Sequence, residues 1–104
     1  MIKDAGKIGI KVIDFGSSCQ PNQTMYKYIQ SRYYRAPEVL LELPYGAPID
    51  MWSCGCILVE LYLGSPVFLG KDKIDQLASI CEVLGIPPLE MMLSSPKSRF
   101  FFRC

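Results

Sequence analysis

The sequence predicts a mainly helical chain that begins with a short β hairpin and a long irregular loop. Ile8, Ile10 and Val12 alternate along the chain with Gly9, Lys11 and Ile13, which is the two-residue period of a strand. Residues 14–34 are polar and follow neither a strand nor a helix period. Two long helical patterns come after residue 36, so helices should make up most of the ordered structure.

The hairpin and the loop are predicted from turn residues. The segment Asp4-Ala5-Gly6-Lys7 is turn-like, so residues 1–3 are expected to pair with a strand that runs from Ile8 to Ile13 and stops at Asp14-Phe15-Gly16. The loop beyond it carries Ser17, Ser18, Pro21 and Asn22. Loops of this length within a domain are usually functional or mobile.

The first two helices differ in length and in surroundings. Residues 36–42 predict a short helix with Pro37 in its first turn. A second helix is expected from Pro48 to Leu63, ended by Gly64. Its apolar residues face every direction, so we expect it to be buried on all sides, although a chain this short offers few elements to surround it.

The third helix is predicted over residues 72–84. Asp72 can cap its start and Gly85 can end it, while Ile74, Leu77, Ile80 and Leu84 form one apolar stripe. The tail over residues 89–104 has no clear pattern and ends close to Phe100-Phe101-Phe102.

Composition narrows the classes of protein. A net charge of +1 with scattered basic residues argues against nucleic-acid or anionic membrane partners. Residues 51–63 are too few for the ~20 that a membrane span needs, and no leader pattern is visible, so we expect an intracellular protein, cytoplasmic or nuclear. An odd number of cysteines, five, predicts reduced thiols, and a chain without histidine whose Cys54 and Cys56 are so close is not typical of a zinc site.

Two tripeptides are candidate functional motifs. Asp14-Phe15-Gly16 places a carboxylate at a strand end, where it could bind Mg²⁺ together with nucleotide phosphates. Ala36-Pro37-Glu38 follows 22 residues later. Each alone could be a simple strand-to-turn junction or helix start. The segment Asp50-Met51-Trp52-Ser53-Cys54-Gly55 follows them. In this order and spacing the combination is a strong signal that chance rarely produces.

On these residues the chain resembles the eukaryotic protein kinase domain, and more narrowly the dual-specificity tyrosine-regulated kinases, the DYRK family. The resemblance rests on residues 10–19, 28–38, 46–56 and 75–77 and covers about the first 85 residues. It implies the C-terminal lobe portion of the α+β protein kinase-like fold, with residues 1–104 forming part of a domain. The N-terminal lobe, the catalytic loop and the end of the domain would lie outside these residues.

The resemblance also implies cofactors and their contacts. ATP and Mg²⁺ are expected, with Asp14 binding the metal and Ile13 lining the adenine side of the nucleotide pocket. Phe15 would pack to fix the orientation of the motif, and Gly16 would permit the backbone turn.

By the same resemblance the long loop is an activation loop. Tyr26 and Tyr28 match its two tyrosines, and Tyr28 is expected to be autophosphorylated. Arg32 and Arg35 would clamp that phosphate, whereas the alternative is a pair of solvated surface charges. Ser31 matches the hydroxyl residue that contacts the catalytic aspartate, which would lie upstream of residue 1.

Three further residues are expected to be structural. In the family Glu38 pairs with an arginine far downstream, and Asp50 bonds to the backbone of the catalytic loop. Trp52 is expected to pack in the core because aromatic side chains bury a large area.

The resemblance therefore implies a protein serine/threonine kinase of dual specificity, which acts on protein hydroxyls and on its own activation-loop tyrosine. The 104 residues alone are expected to be inactive, because the catalytic loop is not among them. One alternative is a non-catalytic product that regulates or binds partners. Another is a homeodomain-interacting kinase, although that family typically has only the second tyrosine, and both Tyr26 and Tyr28 are present. The physiological substrate and the oligomeric state are not predicted.

Overall fold

The computed structural model describes residues 2–4, 6–23 and 26–102. Its elements, in chain order, are β1 (Ile2–Asp4), β2 (Lys7–Ile10), a 3₁₀ turn (Arg32–Tyr34), α1 (Pro37–Leu40), α2 (Pro48–Leu63), α3 (Lys73–Leu84), α4 (Leu89–Ser94) and α5 (Ser98–Phe101). The mainly helical class and the order of hairpin, loop and helices are confirmed. Met1 and Ala5 of the predicted hairpin, and residues 103–104 of the tail, lie outside the described residues.

The hairpin is shorter than the sequence predicts. β1 and β2 are antiparallel, with Ile2 opposite Ile10 and Asp4 opposite Lys7. The prediction that the strand continues to Ile13 is wrong, because β2 ends at Ile10, which pairs with Ile2, the first described residue of β1.

Helix α1 is short but central to the core. Ala36 caps it in an extended conformation, and Glu42 adopts a left-handed φ of 58° that ends the predicted helix two residues early. The Leu43 N–H closes this end by donating to the Glu38 carbonyl at 2.9 Å. Val39, Leu40 and Leu41 are fully buried, whereas Pro37 and Glu38 are half-buried, so one side of this turn lies in the core.

Helix α2 has the predicted bounds but not the predicted burial. It ends where Gly64 takes a φ of 78° and its N–H donates to the Glu60 carbonyl. Of its side chains only Ile49 and Cys56 are buried, whereas Leu61 is 77% and Tyr62 89% exposed. The expectation of burial on all sides is wrong, because the described elements cover one side of the helix.

Helix α3 is fixed at its start and through the middle of its stripe. Asp72 accepts from the N–H groups of Ile74 and Asp75 at 2.8 and 2.9 Å, as a capping aspartate should. Leu77 and Ile80 are buried in the main cluster with Leu40, Leu41, Cys56 and Phe68. The ends of the predicted apolar stripe are not buried, since Ile74 is 43% and Leu84 62% exposed.

The tail is attached to α1. Buried Ser95 donates from its hydroxyl to the Leu41 carbonyl at 2.8 Å. Phe101 and Phe102 are half-buried against the main cluster, while Phe100 is exposed. Within the described ranges, no helix combines the length and apolar character that crossing a membrane requires.

Candidate functional site

A cavity of about 600 Å³ lies between the residues that follow β2 and the start of α2. Its walls include Ile13, Asp14, Phe15, Gln30 and Asp50, together with residues of the long loop and of 45–49. Two carboxylates that the sequence marks separately, Asp14 and Asp50, thus face one cavity. The fold creates this neighbourhood by bringing the loop after β2 against the first turn of α2.

The backbone at Asp14 is strained. Its φ of 64° lies in the left-handed region, which non-glycine residues seldom adopt and which costs on the order of 1–2 kcal/mol. Strain of this kind is often found where a side chain must be aimed into a site. Here it is found at the residue whose carboxylate borders the cavity.

The structural roles expected of Phe15 and Gly16 are not seen. Phe15 is 67% exposed and so does not pack to fix the motif. The left-handed residue is Asp14 and not Gly16, and a Cβ on Gly16 would lie an ordinary 3.6 Å from an Asp14 carboxylate oxygen. The turn is closed instead by Ser18, whose N–H and hydroxyl both donate to the Phe15 carbonyl, at 3.0 and 2.6 Å.

The donor set at the cavity fits a magnesium ion that arrives with a nucleotide. Within the described ranges no group of three or more metal-binding side chains comes together, so these residues provide no protein cage. Mg²⁺ usually takes only one or two carboxylates and completes its shell with phosphates and water. Asp14 supplies such a carboxylate, and half-exposed Ile13 offers an apolar surface to a base.

Arg35 is the most constrained cation of the site. Only 5% of the residue is exposed, and it donates from Nε to the Ile29 carbonyl at 2.9 Å and from Nη2 to the Gln30 carbonyl at 2.5 Å. The alternative of a solvated surface charge is therefore wrong for Arg35. Its third nitrogen, Nη1, is buried without a hydrogen-bond partner among the described residues.

Tyr28 lies directly on this guanidinium. The Arg35 Cζ atom is 3.7 Å from the centre of the Tyr28 ring, while 54% of the tyrosine remains exposed. Arg32 is exposed and donates to the Lys71 carbonyl at 2.5 Å. Tyr26 is also exposed, and its carbonyl accepts from the Tyr45 hydroxyl. The structure thus brings Tyr28 and Arg35 together and ties Arg32 to the segment before α3.

Gln30 is a site residue that the sequence reasoning missed. It has a left-handed φ of 72°, and its amide nitrogen donates to the Ile49 carbonyl and to the Ser53 hydroxyl, both at 2.8 Å. Its amide oxygen accepts from the Ala36 N–H at 2.9 Å. One side chain therefore joins the loop to α1 and α2. No local pattern identifies such a glutamine, because all its partners are set by the fold.

Tyr34, at the end of the 3₁₀ turn, also attaches the loop to α2. The Tyr34 carbonyl accepts from the Ser53 hydroxyl at 2.8 Å, and the Tyr34 hydroxyl donates to a Glu60 carboxylate oxygen at 2.6 Å. The hydrogen bond to Glu60 and burial raise the pKa of Tyr34, so it remains a neutral donor. The end of the loop is thereby held along α2.

The roles expected of Ser31 and Glu38 stay predictions, because the partners expected for them are not among the 104 residues. Ser31 is exposed, and its side chain makes no cap bond to the 3₁₀ turn that it precedes. Glu38 borders a second cavity of about 580 Å³ with Trp52, and no ion pair to Glu38 occurs in the described part of the chain. Trp52 is half-buried and stacked on Phe68, with ring centres 5.9 Å apart, as expected of a packing residue.

Comparison with known proteins bears on this arrangement. The family model described as "Protein kinase domain" matches residues 1–99. Over 102 residues the chain is 55% identical to "Dual specificity tyrosine-phosphorylation-regulated kinase 2" of Drosophila melanogaster, and over 101 residues 56% identical to "Dual specificity tyrosine-phosphorylation-regulated kinase mbk-2" of Caenorhabditis elegans. A "Putative dual specificity tyrosine-phosphorylation-regulated kinase 3 homolog" of Drosophila melanogaster is 58% identical over 102 residues.

These matches cover 97–98% of the chain but only 12–14% of the relatives. The chain thus corresponds to about an eighth of the length of the proteins that it matches. The match to the family model nevertheless includes both tripeptides and the whole loop between them. The chain belongs to the protein kinase family, and its predicted resemblance to the dual specificity tyrosine-phosphorylation-regulated kinases is confirmed.

Proposed function

We propose that the protein containing this chain is an ATP-dependent serine/threonine kinase of dual specificity that also phosphorylates its own activation-loop tyrosine. The observation that carries the proposal is the shared cavity, where strained Asp14 faces the start of α2 beside a loop anchored by Gln30. The names of the relatives support the dual specificity. In this proposal residues 1–104 supply the metal-binding motif, the activation loop and the helices behind it.

Each residue at the cavity has a specific task in this proposal. Asp14 would hold Mg²⁺, and Ile13 would contact the adenine of ATP. When bound, the metal neutralises charge on the β- and γ-phosphates. The protein's part is to orient these groups, and the bonds that hold Gln30 to α1 and α2 keep the loop wall in place.

The reaction itself is a phosphoryl transfer. A substrate hydroxyl oxygen forms a bond to the γ-phosphorus, the bond from that phosphorus to the bridging oxygen breaks, and ADP leaves. The hydroxyl proton passes to a base, which kinases supply from a His-Arg-Asp loop. That base is the aspartate of the loop, and because the 104 residues contain no His-Arg-Asp tripeptide, the proposal assigns the base to another part of the protein.

The environment of Tyr28 supports its role as the phosphorylated residue. Its ring lies on Arg35, whose Nη1 is buried and has no acceptor in the described part of the chain. An unsatisfied buried donor is costly, and a phosphate oxygen is a strong acceptor for it. Phosphorylation of the exposed Tyr28 would therefore supply the acceptor that Arg35 lacks.

Asp14→Asn tests the proposed metal site in the full-length protein. The change removes the charge and keeps the shape, so we expect kinase activity to fall at least about 100-fold and Mg²⁺-dependent nucleotide affinity to fall with it. Transfer of labelled phosphate and nucleotide binding with and without Mg²⁺ are the two measurements. Asp72→Asn is the matched control, because asparagine also caps helices and Asp72 lies away from the cavity.

Activity within threefold of the wild type in Asp14→Asn would show that Asp14 does not bind the metal. The 104-residue polypeptide alone is a second control in the same assay. It should transfer no phosphate, because the base and the phosphate-binding lysine of the kinase template are not among its residues.

A further inference from the structure

A cluster of charges surrounds Tyr28, and part of it lies outside the activation loop. We call Tyr28, Arg35, Lys73, Glu42 and Lys97 the Tyr28 cluster. The Lys73 Nζ atom, at the start of α3, is 5.4 Å from the centre of the Tyr28 ring, and the Arg35 Cζ atom is 3.7 Å from the same centre. A single oxygen of Glu42, Oε1, accepts from Lys73 at 2.6 Å and from Lys97 at 2.8 Å.

The cluster is unbalanced in charge. It contains three cations, Arg35, Lys73 and Lys97, and one carboxylate, Glu42, which contacts only the two lysines, so the cluster has two positive charges in excess. Asp72 and Asp75 flank Lys73 but form no ion pair with it in the described part of the chain, because Asp72 caps α3 and Asp75 accepts from the Lys71 N–H. A tyrosine phosphate carries nearly two negative charges at neutral pH, which matches this excess.

We propose that Lys73 is a further cationic partner of phosphorylated Tyr28, in addition to the Arg32 and Arg35 predicted from the sequence. The phosphate would then join the activation loop to the start of α3. The inference rests on the proposed phosphorylation of Tyr28 and adds a residue outside the loop. Lys73 lies against the face of the ring, and a rotation of its flexible stem carries its ammonium toward the phosphate.

The position of Glu42 lowers the free-energy cost of moving Lys73 from its carboxylate to the phosphate. Because Lys97 bonds to the same carboxylate oxygen, Glu42 keeps a partner when Lys73 turns to the phosphate. The burial of Lys73, 24% exposed, also reduces the screening of its charge by water. A dianionic phosphate near Arg35 and Lys73 therefore competes well for Lys73 against a carboxylate that two lysines share.

The expected consequence reaches beyond the loop. Lys73 is the first residue of α3, and its ammonium lies 5.9 Å from the ring centre of Phe101 in α5. Arg32 already joins the loop to the Lys71 carbonyl, two residues before Lys73. Phosphorylation would thus strengthen an existing connection between the loop, α3 and the tail.

The test compares Lys73→Gln with Lys71→Gln in the full-length protein. Both remove one positive charge, but Lys71 is exposed and contributes only backbone groups to these contacts. Mass spectrometry first measures the phosphorylation of Tyr28 in each variant. The rate at which a tyrosine phosphatase removes that phosphate is then measured, together with Tm before and after removal.

We expect the phosphate to be removed from Lys73→Gln about threefold to tenfold faster than from wild type or Lys71→Gln. The Tm difference between wild type and Lys73→Gln should be larger in the phosphorylated protein, and Lys73→Arg should restore both values. Equal rates and equal Tm differences for the two glutamine variants, with Tyr28 phosphorylated, would overturn this inference alone. Absence of phosphate on Tyr28 in active wild-type protein would overturn the proposed function of that residue and this inference with it.

Discussion

At the residue scale, the loop after β2 depends on a few side chains that bond to backbone groups. Arg35 donates hydrogen bonds to the carbonyls of Ile29 and Gln30. The Gln30 side chain in turn forms hydrogen bonds with the start of α1 and with α2. Lysine could not replace Arg35, because two of the contacts use different nitrogens of one planar group. Arg35 is therefore needed for the shape of the loop whether or not Tyr28 carries phosphate.

Glu42 leads to a prediction about acid stability. Hydrogen bonds from Lys73 and Lys97 lower the pKa of Glu42 from 4.5 to about 2. A lowered pKa in the folded state means that the carboxylate stabilises the protein fully above about pH 5, and that this contribution is lost as the pH falls toward 2. The full shift in the pKa of Glu42 corresponds to about 3 kcal/mol in the free energy of unfolding. Because the side chain is 24% exposed and water screens its charge, we expect a contribution of about 1 kcal/mol.

Glu42→Gln should accordingly reduce the free energy of unfolding by about 1 kcal/mol at pH 7 and by little below pH 3. Urea unfolding between pH 2 and pH 7 measures both values. Glu82→Gln, on the exposed face of α3, is the matched control and should change neither. A loss that is the same at every pH would show that Glu42 does not act through its charge.

Residue types and spacing predicted some of the site, but not its internal contacts. Asp14 was predicted from the Asp14-Phe15-Gly16 motif after a strand, and it borders the cavity, while its binding of a metal stays a prediction. Gln30 and Glu42 were not predicted, because their partners at Ile49, Ser53, Lys73 and Lys97 come from distant parts of the chain. The exposure of Phe15 was not predicted either, since packing partners are a property of the fold.

At the element scale, the junction before α3 is as constrained as the helix itself. Gly70 is buried, and its N–H donates to the amide oxygen of Gln76 at 2.9 Å. The Gln76 amide nitrogen reaches back toward the Phe68 carbonyl at 3.4 Å. A buried glutamine thus holds the extended segment before α3 against the first turns of the helix.

Gly70→Ala should disrupt this junction. A Cβ at residue 70 would lie 2.3 Å from the backbone nitrogen and Cα of Gln76, and backbone atoms cannot move aside as a flexible side chain can. We expect a loss of about 3 kcal/mol in the free energy of unfolding, measured by urea denaturation. Gly6→Ala is the matched control, since a Cβ there meets nothing within 4 Å. A change below about 0.5 kcal/mol in Gly70→Ala would contradict the close approach.

The ends of α2 and α3 were predictable because helix termini depend on local residues. Gly64 ends α2 and Asp72 caps the start of α3, and neither role depends on distant parts of the chain. The end of β2 was not predictable from Ile10 and Val12, because a strand continues only where a partner strand continues beside it. Burial of α2 was mispredicted for the same reason, since it depends on which elements surround the helix.

At the scale of the whole molecule, the described residues bury a small core and expose a long apolar face. The buried cluster joins α1, α3, Cys56 of α2 and Phe68. On the other side of α2, Met51, Leu58, Leu61 and Tyr62 are between 61% and 89% exposed. Their spacing of seven, three and one places them on one broad stripe of the helix. Contiguous apolar surface of this kind favours association.

The exposed stripe gives the last prediction, for the 104-residue polypeptide by itself. It should bind the dye ANS and associate at micromolar concentration, because apolar surface gains free energy when it leaves water. Leu58→Gln with Leu61→Gln should reduce dye fluorescence and association while far-UV circular dichroism still reports helix, since neither leucine belongs to the core. Leu89→Gln, an exposed leucine on α4, is the matched control and should change association less. A monomeric polypeptide without dye binding would show that the stripe is covered, and equal effects of the α2 and α4 substitutions would show that association does not depend on α2.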